Sequence, residues 1–328
     1  MVSSPAATTP TLVLVPDVSS AALADPHSSR RHPRRLTNTT RGIDMTSSTN
    51  ASLAGRTAIV TGGGTGIGAA CATRLANDGM NVTICGRTES RLVDVVDRIK
   101  ASGATGAIRH QVTDVTVEDD VAALVAGHVD AFGRLDGFVA NAGGGGGMGP
   151  YHLLDTEEFI RVLHLNVMGT MLSVKYSVPH LVAAGGGSFV GMSSLAGHKT
   201  HVMFGAYCVA KAGIEEMMKN AADEFGEVKV RFNSVRPGFI STEIMEGIPR
   251  ESAVYDSYIE NTPLNDVGEP EDVANLVRFL VSDEARWITG TAINCDGGHH
   301  LRRGPDFRSF IEPAIGHDAL VAKAPVGG

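Results

Sequence analysis

No run in this chain is long and apolar enough to cross a bilayer. Cysteine is scarce. Cys71, Cys85, Cys208 and Cys295 are scattered without metal-ligand spacing, which disfavours both a metal centre and a disulfide framework. They read as buried thiols in a reducing compartment, so a cytoplasmic location is expected. Positive charge is not in excess either. The 328 residues carry a formal net charge of -8, which argues against general nucleic-acid binding. The short apolar run TLVLV has no basic segment before it, so a secretory signal is not indicated. The remaining composition, 43% hydrophobic and 20% charged, is that of an ordinary globular protein.

Three regions differ in character. Residues 1–50 are rich in Pro, Ser, Thr and Ala, carry the basic cluster RRHPRR, and read as a disordered leader. Residues 51–300 alternate apolar β-type runs with helix-length stretches. Residues 301–328 form a tail whose Phe307, Phe310 and Ile311 could pack on the body or on a neighbouring subunit. Within the middle region TAIVT (57–61), NVTICG (81–86), AIRHQVT (107–113), GFVANAG (137–143), SFVGMSS (188–194), VKVRFNSVRPG (228–238) and TAINCDGG (291–298) read as strands. Segments such as ESRLVDVVDRIKAS and EDDVAALVAGHVDAF place apolar residues three and four apart, the amphipathic helix pattern. Alternation of this kind implies a parallel sheet of about seven strands with helices on both faces. Right-handed crossovers then favour a single α/β domain of the doubly wound, Rossmann type.

The first strand runs into TGGGTGIG, Thr61 to Gly68, and then into an alanine-rich helix. That context makes the glycines a dinucleotide turn. Gly62 permits the tight turn, Gly66 close approach of the ligand, and Gly68 close packing of the helix on the sheet. The helix N-terminus then faces the pyrophosphate. At the end of the second strand an Asp or Glu would bind the ribose 2'-hydroxyl of NAD. This chain has Gly86 and Arg87 there. With no carboxylate to repel it, a 2'-phosphate can meet the Arg87 guanidinium. The expectation is NADP(H) in preference to NAD(H), with NAD(H) left open.

Tyr207 and Lys211 share a helix face at i and i+4 in GAYCVAKAGIEEMMKNAA. Alone they would be an ordinary helix couple. Ser194 ends an apolar run thirteen residues before Tyr207. A phenol is a poor acid–base group near neutrality, and an adjacent ammonium is expected to lower its pKa. Tyr207 is then the expected general acid/base, Ser194 the hydrogen-bond partner of the substrate oxygen, and Lys211 a holder of the nicotinamide ribose.

These motifs, together with NAG at 141–143 and RPGFIST at 236–242, resemble the short-chain dehydrogenase/reductase family over about residues 53–298. The resemblance implies an oxidoreductase acting on CH–OH or C=O groups with NAD(P). It identifies Gly62, Thr65, Gly66, Ile67 and Gly68 with the phosphate-binding turn. Asp114 and Val115 occupy the place that contacts adenine. Asn141, Ala142 and Gly143 match the segment that supports the central strand and lines the adenine ribose. Asn166 matches the asparagine that kinks a helix and anchors a water in the proton relay toward Lys211. Pro237, Gly238, Ile240 and Thr242 match the loop around the nicotinamide end. An Asn166–Ser194–Tyr207–Lys211 tetrad is therefore complete. A homotetramer or homodimer is implied as well.

Substrate contacts are expected from Gly144 to Met148, Leu195, Ala196, Met203 and Phe204, and from a lid over 242–265 offering Met245, Ile248, Tyr255, Tyr258 and Ile259. These suit a small apolar carbonyl or hydroxy compound. An arginine clamp is not obvious, although Arg250 is a candidate, and His198 reads as an exposed loop residue. A 3-oxoacyl-carrier-protein or acyl-CoA reductase and a non-catalytic nucleotide-dependent scaffold or sensor are the competing readings.

Overall fold

The computed structural model describes residues 53–243 and 245–323, with Glu246 described by its backbone alone. The leader expected over 1–50 and the end of the tail, 324–328, lie outside the described residues. The order is β1 (Thr57–Thr61), α1 (Gly66–Asn77), β2 (Asn81–Gly86), α2 (Glu89–Ala101), β3 (Ile108–Val112), α3 (Glu118–Phe132), β4 (Gly137–Ala140) and α4 (Thr156–Leu163). A five-residue π-helical turn, His164–Met168, joins α4 to α5 (Gly169–Ala183). Then follow β5 (Gly187–Met192), α6 (Gly205–Phe225), β6 (Val230–Pro237), α7 (Ala253–Asn261), α8 (Pro270–Val281) and β7 (Ala292–Cys295). Two short helices close the tail, α9 (Arg308–Ile315) and α10 (His317–Leu320).

The seven strands are all parallel, in the order β3-β2-β1-β4-β5-β6-β7. Successive side chains of a strand point to opposite faces, so each central strand feeds two cores. Val60, Val139 and Val190 join Leu75, Val277 and Leu280 on the face covered by α1 and α8. Ile59, Phe138, Phe189 and Phe232 join Leu124, Leu181, Ile214 and Met218 on the face covered by α3, α5 and α6. This explains the continuous apolar runs of the sequence: both faces of the sheet are dry. Among the described residues no helix is long and apolar enough to cross a membrane.

Several strands stop earlier than their apolar runs suggest. β4 ends at Ala140 because the backbone N–H groups of Asn141 and Ala142 turn to the Thr61 hydroxyl, at 3.0 and 2.9 Å. β5 ends at Met192 because Ser194 starts a 3₁₀ turn, its hydroxyl accepting from the Ala196 N–H at 3.2 Å. The order reverses between β1 and β4. In a parallel sheet every strand delivers its C-terminal end to one edge, and the crevice at such a reversal is where ligands bind.

Phe138, Phe189 and Phe232 stack across β4, β5 and β6, with ring centroids 5.0 and 5.3 Å apart. Phe189 lies in the middle and is fully buried. Phe189→Ala should lower unfolding free energy by about 3–5 kcal/mol, and Phe189→Leu by less than half as much. Denaturant midpoints at equal slope provide the check. A near-wild-type midpoint for the alanine variant would remove the stack from the stabilising core.

Candidate active site

The turn after β1 is built for a group that needs backbone at close range. Gly62 and Gly66 take left-handed φ values of 65° and 48°. A Cβ on Gly68 would lie 2.2 Å from the Gly62 carbonyl oxygen and 2.6 Å from Asn141 Nδ2. The third glycine therefore lets the start of α1 press against the turn itself, a more local role than packing on the sheet. Thr65 precedes α1 without a capping hydrogen bond, and the first turn of α1 has no acidic residue. Its N–H groups and positive helix end are left for an anion. These features fit a dinucleotide pyrophosphate.

Next to the turn is a hollow of about 180 Å³ that includes Gly64, Gly86, Arg87, Arg91, Asp114 and Val115 in its walls. Arg87 is exposed at its rim. Burial opposes ionisation of Asp114, but hydrogen bonds from the Thr116 hydroxyl and backbone, and the charges of Arg87 and His164, leave its pKa below the usual value. Arg91 was not anticipated. It stands four residues after Arg87 in the first turn of α2, and a Cβ on Gly64 would be 3.3 Å from its own Cβ. The signal was the i, i+4 spacing of the two arginines.

The turn connects to the rest of the site through Asn141. Its Nδ2 donates to the carbonyls of Thr61 and Gly62 at 3.0 and 3.3 Å. Three residues on, Gly144 exchanges hydrogen bonds with Asn166: Asn166 Nδ2 donates to its carbonyl at 2.8 Å, and its N–H donates to Asn166 Oδ1 at 3.2 Å. Asn166 sits at the centre of the π-helical turn and also donates to the Val162 carbonyl at 2.8 Å. A Cβ on Gly143 would fall 2.6 Å from Asn166 Oδ1 and 3.1 Å from Lys211 Nζ. Only glycine leaves both groups where they are.

Lys211 is 3% exposed and its Nζ donates to the Met192 carbonyl at 2.9 Å. Burial pushes its pKa down from 10.5 to about 8. Burial pushes Tyr207 up to about 12, an effect that the neighbouring Ser194 only partly offsets. The expected lowering of Tyr207 by Lys211 is not seen. The ammonium lies 5.4 Å from the centroid of the Tyr207 ring and is turned to the Met192 carbonyl.

A third member of this helix face was overlooked. Glu215 continues the four-residue spacing of Tyr207 and Lys211. Its carboxylate accepts from Arg236 at 2.6 and 2.5 Å and from the Ser193 hydroxyl at 2.8 Å. Ser193 also bonds the Lys211 carbonyl at 3.1 Å, so the serine segment is tied to α6 on both sides.

Gly62, Thr65, Gly66, Ile67, Asn141, Ala142, Gly143, Ser194, Tyr207, Lys211, Pro237, Gly238, Ile240 and Thr242 all line one cavity of about 680 Å³. Gly144 to Met148, Leu195, Phe204, Met245, Ile248 and Tyr258 line it too. Ala196 is buried in the 3₁₀ turn, Tyr255 packs edge-on to Phe239, and Met203 and Ile259 join the same apolar cluster; none reaches the cavity wall. Arg250 and His198 are exposed and stand outside it. Glu243, His201, Phe239, Phe307 and Phe310 line it without having been anticipated as wall residues. An open groove of about 790 Å³ lies at the opposite edge of the sheet, with Arg56, Arg134, Asp136 and Trp287 in its walls. It holds none of the tetrad, so size alone does not mark the reactive end. Among the described residues no group of three His, Cys, Asp or Glu side chains is placed to hold a metal.

Comparison with known proteins bears on this arrangement. A family described as Enoyl-(Acyl carrier protein) reductase matches residues 62–300. The cis-4-hydroxycyclohexanecarboxylate dehydrogenase of Sinomonas cyclohexanicum is 36% identical over 245 residues, 74% of this chain and 96% of that protein. The 7alpha-hydroxysteroid dehydrogenase of Clostridium sardiniense is 35% identical over 252 residues, 76% of this chain and 95% of that protein. A solved structure, a short-chain type dehydrogenase/reductase from Mycobacterium ulcerans, is similar with a TM-score of 0.81 and 46% identity, covering 82% of this chain and 98% of that one.

Lys211 generates a pH prediction. Its folded pKa is depressed, so the burial penalty is full below about 8, where both states carry the proton, and absent above 10.5, where neither does. Relative to Lys211→Met, the wild type should gain stability as pH rises through this window. Unfolding midpoints of both proteins at the two ends of the window read the difference. A gap independent of pH would mean that Lys211 is not held charged in a desolvated site.

Proposed function

The chain belongs to the short-chain dehydrogenase/reductase family and is an oxidoreductase of that family, and on that premise we propose that it interconverts a cyclic secondary alcohol and its ketone with NADP(H), Tyr207 moving the proton. The observation that carries the reading is the placement of Ser194, Tyr207 and Lys211 in the wall of one cavity that also holds the glycine turn. Relatives named for hydroxycyclohexanecarboxylate and hydroxysteroid dehydrogenation support a ring as the carrier of the alcohol. The apolar wall of Phe204, Phe239, Ile248 and Phe307 suits such a ring.

The nicotinamide, when bound, accepts hydride from the carbinol carbon or gives it back. Everything else falls to the chain. Ser194 holds the substrate oxygen by a hydrogen bond and orients it. Tyr207 takes the hydroxyl proton in oxidation and returns it to the oxygen in reduction. A phenol at about 12 is an adequate acid but a weak base near neutrality, so the oxidative direction needs positive charge nearby. Lys211 is mainly protonated at pH 7, with a pKa of about 8, but with its Nζ on the Met192 carbonyl it does not lower Tyr207, and would have to turn toward the phenol oxygen to do so. Asn166 Oδ1 flanks the same point of Gly143 as Lys211 Nζ, which suits a proton path that leaves along the lysine side. The turn Gly62–Gly68, with Thr242 opposite Gly66, would hold the phosphates.

For the cofactor, the absence of a carboxylate after β2 and the pairing of Arg87 with Arg91 on one hollow favour a 2'-phosphate. The carrier-protein alternative is weaker. Lys211 is the only lysine or arginine among the residues lining the main cavity, and Arg250 is outside it.

Two experiments test the reading. Tyr207→Phe should lower kcat for cyclohexanol oxidation by about 10²-fold or more while leaving nucleotide binding intact. A variant with wild-type turnover would transfer the proton to another group. Arg87→Ala should raise KM for NADPH about tenfold, the loss of one charge-assisted contact, and leave KM for NADH unchanged. Equal use of both nucleotides by the wild type, unaltered in the variant, would overturn the NADP(H) assignment.

A further inference from the structure

Two polar side chains in the cavity wall have no part in the proposed reaction. His201 and Tyr258 are 6% and 7% exposed, and both line the cavity that holds Ser194 and Tyr207. His201 belongs to the loop before α6. Its Nδ1 lies 3.1 Å from the Lys199 carbonyl. A carbonyl only accepts, so Nδ1 carries the proton and Nε2 offers a lone pair. Burial holds the ring pKa at about 4, so this neutral form persists at physiological pH. Nε2 makes no hydrogen bond to a described residue.

Tyr258 projects from α7. Its ring stacks on Phe239 at 4.2 Å and meets His201 and His299 edge-on at 6.2 and 5.7 Å. The aromatic cage fixes the ring, yet the phenol hydroxyl has no hydrogen-bond partner among the described residues. Tyr207 and Cys208 lie within electrostatic reach of it. Neither atom is among the fully enclosed polar atoms that lack a partner, so both open on the cavity and are met by what enters it, water or ligand.

We propose that His201 and Tyr258 form a second polar station for the substrate, which takes a hydroxyl group on a ring whose reacting oxygen is held by Ser194 and Tyr207. The donor set selects a hydroxyl. It can donate to the His201 Nε2 lone pair and accept from the Tyr258 hydroxyl at once. A second carbonyl or a carboxylate would satisfy Tyr258 but set its lone pairs against Nε2. The substrate class is therefore a cyclic diol, or the hydroxyketone formed from it, whereas a simple cyclic mono-alcohol would leave both groups to water. Phe307, from the tail, closes over the station against Phe204 and Tyr258 at 5.5 and 6.3 Å. It lies beyond residue 300, where the family match ends.

This inference rests on the alcohol–ketone reading. The test measures kcat/KM of the full chain with NADP+ and with NAD+ for cyclohexanol and for the 1,2-, 1,3- and 1,4-cyclohexanediols. The best diol should exceed cyclohexanol by at least about tenfold. Tyr258→Phe and His201→Phe should each lower kcat/KM for the diol by a larger factor than for cyclohexanol, so that most of the advantage is lost. His201→Gln, whose amide oxygen can accept from a hydroxyl, should restore part of it. A diol advantage that is absent in the wild type, or untouched in both phenylalanine variants, overturns the station. Equal losses on diol and mono-alcohol also overturn it. No turnover of any alcohol with either nucleotide is a different result: it sinks the oxidoreductase reading of this cavity, and the station falls with it.

Discussion

The site depends on a clamp between β1 and β4. The Thr61 hydroxyl accepts two successive backbone N–H groups, those of Asn141 and Ala142, while Asn141 returns its amide to the Thr61 and Gly62 carbonyls. This is where the strand order reverses, and where the backbone groups at strand ends would otherwise lack partners. One consequence is local: the clamp stops β4 at Ala140 and turns the chain across the sheet edge. The other is long-range. From Asn141 the chain passes through Gly143 and Gly144 to Asn166, and past Gly143 to Lys211. The nucleotide turn and the face of α6 are thus linked through a few residues of direct contact. A shift of the clamp would be felt at both ends of the site.

The charge arrangement around α6 has a physical logic. Lys211 is buried, and a carboxylate one helical turn on, at Glu215, would be its natural partner. Glu215 is instead taken by Arg236 and Ser193. Lys211 keeps only the Met192 carbonyl among the described residues. Its charge is consequently not neutralised by an ion pair, and the side chain stands in the cavity wall. Burial lowers its pKa, but not far enough to discharge it at pH 7. Arg236 also lies near the end of β6, just before the Gly238–Thr242 loop. The ion pair therefore ties the serine segment, the lysine and that loop together at one buried point.

Much of the fold was legible because both faces of the sheet are buried. Continuous apolar strands and amphipathic helices then differ sharply, and α3 coincides with EDDVAALVAGHVDAF. The errors lie at strand ends. NAG and GMSS read as strand because their composition is apolar and small. What ends those strands is a hydrogen bond to a residue eighty positions away or a local serine cap, neither of which periodicity records. The phosphate turn and the spacing of Tyr207 and Lys211 were legible for the opposite reason: both are local geometries. Glu215 was equally local and went unread because a carboxylate on a helix is usually solvated. His201 and Phe307 carried no local signal. Their place in the wall follows from how a loop and a distant tail fold over the crevice. The structure also changes the chemistry read from sequence, since proximity along a helix suggested that Lys211 would depress Tyr207. Contact with the face of a ring is not contact with its oxygen, and burial dominates.

The cavity has two kinds of wall, and they come from different parts of the chain. Its reactive side is made at strand ends: the turn after β1, the segment after β4, the serines after β5 and the loop after β6. These positions are fixed by the sheet and by the buried hydrogen bonds just described. The rest of the wall is made of rings, with Phe204, Phe239, Tyr258 and Phe307 packed against one another and Phe204 stacked on Tyr207 at 4.8 Å. Those rings come from the loop before α6, the loop after β6, α7 and the tail, and their contacts are mainly van der Waals. Substitution there changes shape and polarity without touching the Asn166–Gly144 hydrogen bonds or the clamp at Thr61. The tail is the extreme case, because it contributes to the wall from beyond the segment that matches the family. A scaffold arranged this way can keep one hydride chemistry while its ring-lined wall sets which alcohol is admitted. That separation is why substrate class has to be argued from His201, Tyr258 and Phe307, and not from the tetrad.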